Sequence, residues 1–403
     1  MKYNNLAIYG GKPIRKKNWP YRDLFGKDEV KAVINVFRDS REKQKDFGYQ
    51  GKYEKKYTDK FCELQGGGYA DAVCSGTAGI YVALQALNCI KGSDVIVSPV
   101  TDPGGVMPVI LLGANPVVSD SESGSFNMGV KEFEKVISEN TRIVIVTHVG
   151  GTPANIPAIV KSAKARGIKV IEDCSQAHGA VCKGRKVGTF GDVAVFSTMF
   201  SKNHSTGGCG GIVYAKSKKL YWKIRAYADR GKPFNSSRYN SKDPGENLFP
   251  ALNLNQDELS CAIGISTLVK LPKIIQARIA IVTKINKKLK ELSSVVHPIK
   301  IPEFAKPSPF FHTLEVNVKK LKVSKRKFAE AVAAEGIPVN MDYKFVVSEW
   351  RWLKKYLKGG TTTPNASRFR EKSFNLLFNE RFTERDIADI VSAILKVESK
   401  VVK

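Results

Sequence analysis

Between residues 70 and 215, short apolar runs alternate with segments of helical period, and this alternation limits the folds open to the chain more than any other feature. Residues 70–73, 94–98, 115–118, 142–147, 168–171 and 193–196 are short, rich in Val and Ile, and bounded by Gly or polar residues. Strands buried on both faces read this way. Between them, residues 80–90, 106–112, 129–139 and 156–165 repeat apolar side chains at helical spacing. A run at 212–214 closes the series. The alternation predicts an α/β fold whose mostly parallel sheet is covered by helices on both faces. In such sheets ligands bind in the crevice where the strands stop.

Two of these strand ends carry reactive groups. The run at 168–171 gives way to Glu172-Asp173, and the run at 193–196 to Ser197 and then Lys202. An acid, a hydroxyl and an amine therefore face one crevice. That trio is what a pyridoxal-phosphate (PLP) site needs: an amine for a Schiff base, a carboxylate for the pyridinium nitrogen, and a donor for the phosphate. Upstream, the strand at 70–73 runs through Cys74-Ser75-Gly76-Thr77-Ala78-Gly79 into a helix. A small-residue turn opening a helix presents N–H groups to a phosphate, with the helix dipole adding to the attraction. Read alone, Ser75-Gly76-Thr77 is a helix cap; its place ahead of the acid and the lysine favours the phosphate reading.

The chain has 403 residues, enough for two or three domains. Its composition, 42% hydrophobic and 26% charged, is that of a globular protein. There is no apolar leader at the N-terminus and no membrane-spanning run, so the expected location is the cytoplasm. Seven cysteines without a CxxC pair argue against a disulfide framework and against a metal site, and most are expected to be reduced and buried. The net charge of +27 raises the question of nucleic acid. The lysines are spread along the chain without a basic block, which fits a lysine-rich surface and argues against nucleic-acid binding. Attraction of an anionic small-molecule substrate is the second reading of the charge.

Residues 1–50 read as an irregular arm followed by a helix around 28–37, and residues 52–65 as a charged helix. Residues 216–255 lack a clear period and read as a long irregular loop. A helical pattern from 257 to 292, broken near Pro272, leads to a smaller α+β domain with a strand from 312, a helix capped by Ser324 and a last helix capped by Thr383 and Asp386. The expected division is an arm and large PLP-binding domain over 1–260, and a bridging helix with a small C-terminal domain over 261–403.

With these residues in place, the chain resembles the DegT/DnrJ/EryC1/StrS family of sugar aminotransferases, which have the fold of type I PLP enzymes. The likeness is densest at Ser75-Gly76-Thr77-Ala78, at 172–179, at Gly191-Asp192, at Phe196-Ser197 and at Lys202. The resemblance implies that Lys202 carries the cofactor and shuttles the proton, and that Asp173 pairs with the pyridinium nitrogen. It places Gln176 near the ring's phenolic oxygen and Gly76, Thr77, Ala78 and Ser197 around the phosphate. Asn253 matches an asparagine that reaches the cofactor of a neighbouring subunit, so a homodimer is expected. His178 and His204 read as structural hydrogen-bonders.

The sequence departs from the family at three points. Asp102 stands where an aromatic residue usually stacks on the ring, Gly207-Gly208-Cys209-Gly210-Gly211 where Gly-Glu-Gly-Gly usually follows the lysine, and Asn255 where an arginine usually follows the asparagine. What the resemblance implies is a transaminase that takes an amino group from an amino acid, glutamate or glutamine, by way of pyridoxamine phosphate (PMP). The acceptor would be a keto- or aldehyde-sugar, nucleotide-linked, in amino-sugar biosynthesis. The alternatives are a cyclitol ketone or octulosonate-type acidic sugar as acceptor, or a non-catalytic protein of the same fold that binds nucleic acid or a partner.

Overall fold

The computed structural model describes residues 5–240 and 242–403. Seven strands form the main sheet: β1 (Tyr69–Val73), β2 (Asp94–Val97), β3 (Asn115–Val118), β4 (Thr141–Thr147), β5 (Lys169–Asp173), β6 (Val193–Ser197) and β7 (Gly211–Ala215). Their order across the sheet is β1-β7-β6-β5-β4-β2-β3. From β6 to β3 neighbouring strands run parallel. β7 runs antiparallel to both β6 and β1. This is the α/β sheet that the alternation predicted.

Side-chain alternation splits the core into two layers. Ile143 and Ile145 of β4 pack with Val95, Val97, Val195 and Val213, while Val144 and Val146 pack with Ile96, Ala194, Phe196 and Tyr214. Successive residues of a strand point to opposite faces, and here both faces are buried, so the strands are apolar throughout. Helices α1 (Lys27–Glu42) and α2 (Lys52–Gln65) lie on the long helix Glu258–Leu292, and α3 (Gly76–Ala86) lies over β6 and β7. α3 opens at Ser75, whose hydroxyl accepts from the Ala78 N–H at 3.0 Å.

The C-terminal region forms a four-stranded antiparallel sheet covered by the helices Lys325–Ala334 and Glu384–Val401. Ser324 and Thr383 cap these helices, Thr383 in a reciprocal box with Asp386. Leu6 and Trp19 of the N-terminal arm pack into this C-terminal core. Burial of the arm's few apolar residues, without any period, is what attaches it there.

Two sequence expectations are corrected. Residues 216–255 are not wholly irregular: Ser217 caps a helix over Lys218–Ala228, whose buried side is Ile224, Ala226 and Ala228. Lysines and tyrosines on its other faces obscure the period. The break near Pro272 does not occur; Glu258–Leu292 is one helix of 35 residues with Pro272 inside it. Flanking turns packed against α1 and α2 hold the helix together there.

Candidate active site

Asp173 ends β5 and Lys202 lies just beyond β6, so the topology brings them to neighbouring strand ends. Glu172 and Asp173 point to opposite sides of β5, and that settles which acid faces the lysine. Glu172 is fully buried and accepts the N–H groups of Gly188, Phe190 and Gly191, each at 2.7 Å. It anchors that loop. Asp173, 5% exposed, accepts the Ser175 N–H at 3.0 Å and meets the Thr147 hydroxyl at 3.5 Å. Thr147 in turn donates to Thr101.

Burial pushes the Lys202 amine below the usual lysine value, with the charges of Asp173 and Asp102 pulling the other way. A lysine held down by desolvation is easier to deprotonate into a nucleophile and base. Its Nζ lies 4.7 Å from the centre of the Phe310 ring. Asp102 is exposed, caps the turn Pro103–Gly105 through the Gly104 N–H at 2.9 Å, and is close enough for its charge to act on Lys202.

The start of α3 is pressed against the end of β6. A Cβ on Gly76 would stand 2.7 Å from the Ser197 Cβ, and one on Gly104 would stand 2.2 Å from the Thr77 Oγ1. Only backbone fits at these two points, which brings the first turn of α3, with its N–H groups, close against Ser197. The Ala78 N–H is already held by Ser75. Ser197 is fixed through its own N–H to the Ser175 Oγ at 3.0 Å. Gln176 accepts the Gly150 N–H at 2.7 Å and bonds the Tyr343 hydroxyl.

Behind this turn, β7 approaches so closely that a Cβ on Gly211 would meet the Ser75 carbonyl oxygen at 2.6 Å. Gly211→Ala is expected to cost about 1–3 kcal/mol in urea unfolding, because backbone must move to admit the methyl group. Wild-type stability in that variant would mean the strand can shift freely.

Asn253 is not brought to this group within one chain. It is exposed, and its side-chain oxygen accepts from the Asn255 amide at 2.7 Å. His204 is a hydrogen-bonder as expected, between the Tyr57 hydroxyl at 2.6 Å and Thr267 at 3.2 Å, and burial pushes it down to about 3. His178 is not: it is buried with neither ring nitrogen partnered, lies against Phe196 and His204, and is held neutral by desolvation. All seven cysteines are free, but only Cys174, Cys182 and Cys261 are buried, and Cys209 is exposed. His148, Glu172 and Cys174 bring possible metal-ligand atoms together. Two of the three are already engaged, since the His148 Nδ1 accepts from Ala154, its other nitrogen faces Glu172, and Glu172 also accepts three backbone N–H groups.

Sequence reasoning did not find Arg22. Its guanidinium, from the N-terminal arm, donates to the carbonyls of Lys202 at 2.6 Å and Asn203 at 3.1 Å and pairs with Glu380 at 2.9 Å. The same carboxylate takes Arg278 at 2.9 Å, and Arg278 donates to the carbonyls of Pro309 and Phe310. A cavity of 980 Å³ does not contain Lys202 or Asp173; it is lined by residues 122–127, by Val149 and Gly150, and by the segment 299–307 with Phe311. The placement of the charged groups, rather than cavity size, locates the site.

A model of the DegT/DnrJ/EryC1/StrS aminotransferase family matches residues 27–395. The chain belongs to this family. Its members are PLP-dependent transaminases of fold type I, and so is this chain. The residues present fit that cofactor: a buried carboxylate, a desolvated lysine amine and a helix start closed to side chains come together at the strand ends. An uncharacterized protein of Methanocaldococcus jannaschii is 28% identical over 386 residues, 94% of this chain and 97% of its own. GDP-perosamine synthase of Escherichia coli O157:H7 is 36% identical over 182 residues, 45% of this chain and 50% of its own. The solved aminotransferase from Psychrobacter cryohalolentis is 26% identical with a TM-score of 0.86, covering 96% of this chain and 100% of that one.

Proposed function

We propose that this aminotransferase moves an amino group from glutamate or glutamine to the keto or aldehyde group of a sugar, nucleotide-linked, in amino-sugar biosynthesis. The observation that carries the reading is a buried lysine amine facing a buried carboxylate across the ends of β5 and β6, beside a helix start that only backbone can approach. The match to a GDP-perosamine synthase supports a nucleotide-linked acceptor. The net charge of +27 supports an anionic one, since a basic surface speeds encounter with phosphate-bearing substrates.

In this reading PLP, when bound, supplies an electron sink for the carbon that loses its proton. The chain's own residues do the rest. Asp173 keeps a proton on the ring nitrogen by placing a buried negative charge opposite it. Lys202 would hold the cofactor through its amine and, as the nearby base, would take up and return the proton within each half-reaction. Gly76, Thr77, Ala78 and Ser197 would hold the phosphate, with the Ala78 N–H shared with the Ser75 hydroxyl, and Gln176 would orient the ring from the side of its phenolic oxygen.

Asn253 is exposed on a segment with the exposed Leu248 and Leu252, which fits a role across a homodimer in the partner's cofactor site. The division at 260/261 and a cytoplasmic location complete the reading; among the described residues no helix is long and apolar enough to cross a membrane.

The test is spectral. PLP-loaded protein should show an absorbance band that shifts on adding glutamate or glutamine and returns on adding a nucleotide-linked keto-sugar. Return only with cyclitol ketones or octulosonates would keep the transaminase and change its acceptor. A protein that binds PLP yet shows no shift with any amino acid would favour the non-catalytic reading.

A further inference from the structure

The N-terminal arm reaches the lysine loop through one side chain. The Arg22 guanidinium donates to the Lys202 carbonyl at 2.6 Å and the Asn203 carbonyl at 3.1 Å, with the Phe200 carbonyl at 3.4 Å. Three consecutive arm-to-C-terminus contacts fix its aim: Pro20 accepts from Asn379 at 2.7 Å, Arg22 pairs with Glu380 at 2.9 Å, and Asp23 pairs with Arg381 at 2.7 Å. Asp23 takes a φ of 52°, a left-handed conformation that a non-glycine residue adopts at a cost. That turn sends Arg22 inward while Asp23 stays on the surface.

Glu380 also binds Arg278, which holds the carbonyls of Pro309 and Phe310 at 2.7 Å. The Phe310 ring is the group in contact with the Lys202 amine. One carboxylate thus fixes both the backbone from which Lys202 projects and the ring on which its amine rests. The Arg22 and Arg278 side chains are 16% and 4% exposed, so water does not replace these bonds freely. No other charged side chain among the described residues bonds the carbonyls of residues 200–203.

We propose that Arg22 is a positioning residue for Lys202: with Glu380 and Arg278 it clamps the lysine loop against Phe310 and ties the lysine's placement to the docking of the N-terminal arm on the C-terminal domain. The proposal rests on the reading of Lys202 as the cofactor-bearing lysine. Its direction follows from burial. Loosening the loop admits water to the amine, and desolvation is the main influence holding that amine below its ordinary value.

The test uses full-length wild type, R22Q and R22K, with three readouts. Borohydride reduction after PLP addition, followed by peptide mass spectrometry, first establishes whether Lys202 is the labelled lysine in wild type. If it is not, the reading of Lys202 fails and the clamp with it. Next, the pH dependence of Lys202 acetylation by acetic anhydride is read on cofactor-free protein. R22Q is expected to raise the midpoint by about 1 pH unit. Third, kcat for the first half-reaction should fall by roughly 10-fold or more while the donor KM changes less than about 3-fold, the signature of lost positioning rather than lost binding. If R22Q does not fold, R22K is read the same way, since lysine keeps the charge but cannot span two carbonyls. A variant that labels at Lys202 with wild-type midpoint and kcat, and differs only in melting temperature, overturns the proposal.

Discussion

Lys202→Ala will lower kcat of the first half-reaction by at least about 10³-fold without unfolding the protein. The size follows from what the amine does in the proposed reaction, where it both bonds the cofactor and moves the proton, with the charge of Asp173 acting on it. The fold should survive because the Lys202 amine supports little of it. Its Nζ makes no hydrogen bond or ion pair among the described residues, only the contact with Phe310, and the Arg22 bonds go to backbone that alanine retains. Removing the amine should even stabilise the apo protein. A buried lysine whose folded value lies below 10.5 resists protonation, so it costs the folded state stability below that folded value, and the cost fades as pH rises towards 10.5. The stability gained by Lys202→Ala should therefore be larger at pH 7 than at pH 10 in urea titrations. Turnover by the alanine variant near the wild-type rate would remove Lys202 from the chemistry.

Glu380→Gln is expected to have the largest effect on stability, about 3–5 kcal/mol, because it leaves two guanidinium groups without their carboxylate. Arg278 is 4% exposed and Arg22 16%, so neither can turn to water to recover the loss. Burial alone would raise the Glu380 carboxyl, but Arg22 and Arg278 outweigh it and hold it below the ordinary value of 4.5. A carboxylate depressed in the folded state contributes stability above its unfolded value and loses it as pH falls through the folded one. Wild type should accordingly lose this contribution below about pH 4.5, and the glutamine variant should lack that part of its acid limb. A change under about 1 kcal/mol at pH 7, by urea unfolding, would mean that the three side chains are not coupled as a unit.

The two effects divide along what a sequence can reveal. Lys202 and Asp173 stand at the ends of apolar runs, and buried strands that stop in polar residues mark a crevice by themselves. The resemblance names Asp173 over Glu172, but the residues alone leave that choice open until the facing of β5, set by its pairing with β4 and β6, is known. Gly76 and Ser197 could be named from a turn and a strand end, but their close packing depends on how α3 lies over β6. Arg22 and Glu380 were out of reach. They are 358 residues apart, and the arm carries no period that would predict where it docks. The helix Lys218–Ala228 was missed because its buried side holds only Ile224 and two alanines among lysines and tyrosines. Asn253 lies apart from the lysine and its acid within one chain, exposed and bonded to Asn255.

The position of β7 also dictates when the cofactor cradle can form during synthesis. β7 lies between β1 and β6, and Gly211 is the residue that backs the Ser75 turn. A nascent chain that has released β1 and α3 therefore has a phosphate turn with nothing behind it, and an unpaired strand edge beside it. Both wait until residue 215 has left the ribosome, since β7 is the strand that β1 pairs with in the sheet. The sheet is completed by a contact distant in sequence, which makes its closure slow compared with the helices around it. PLP present during translation would have no complete site to enter before that strand is inserted.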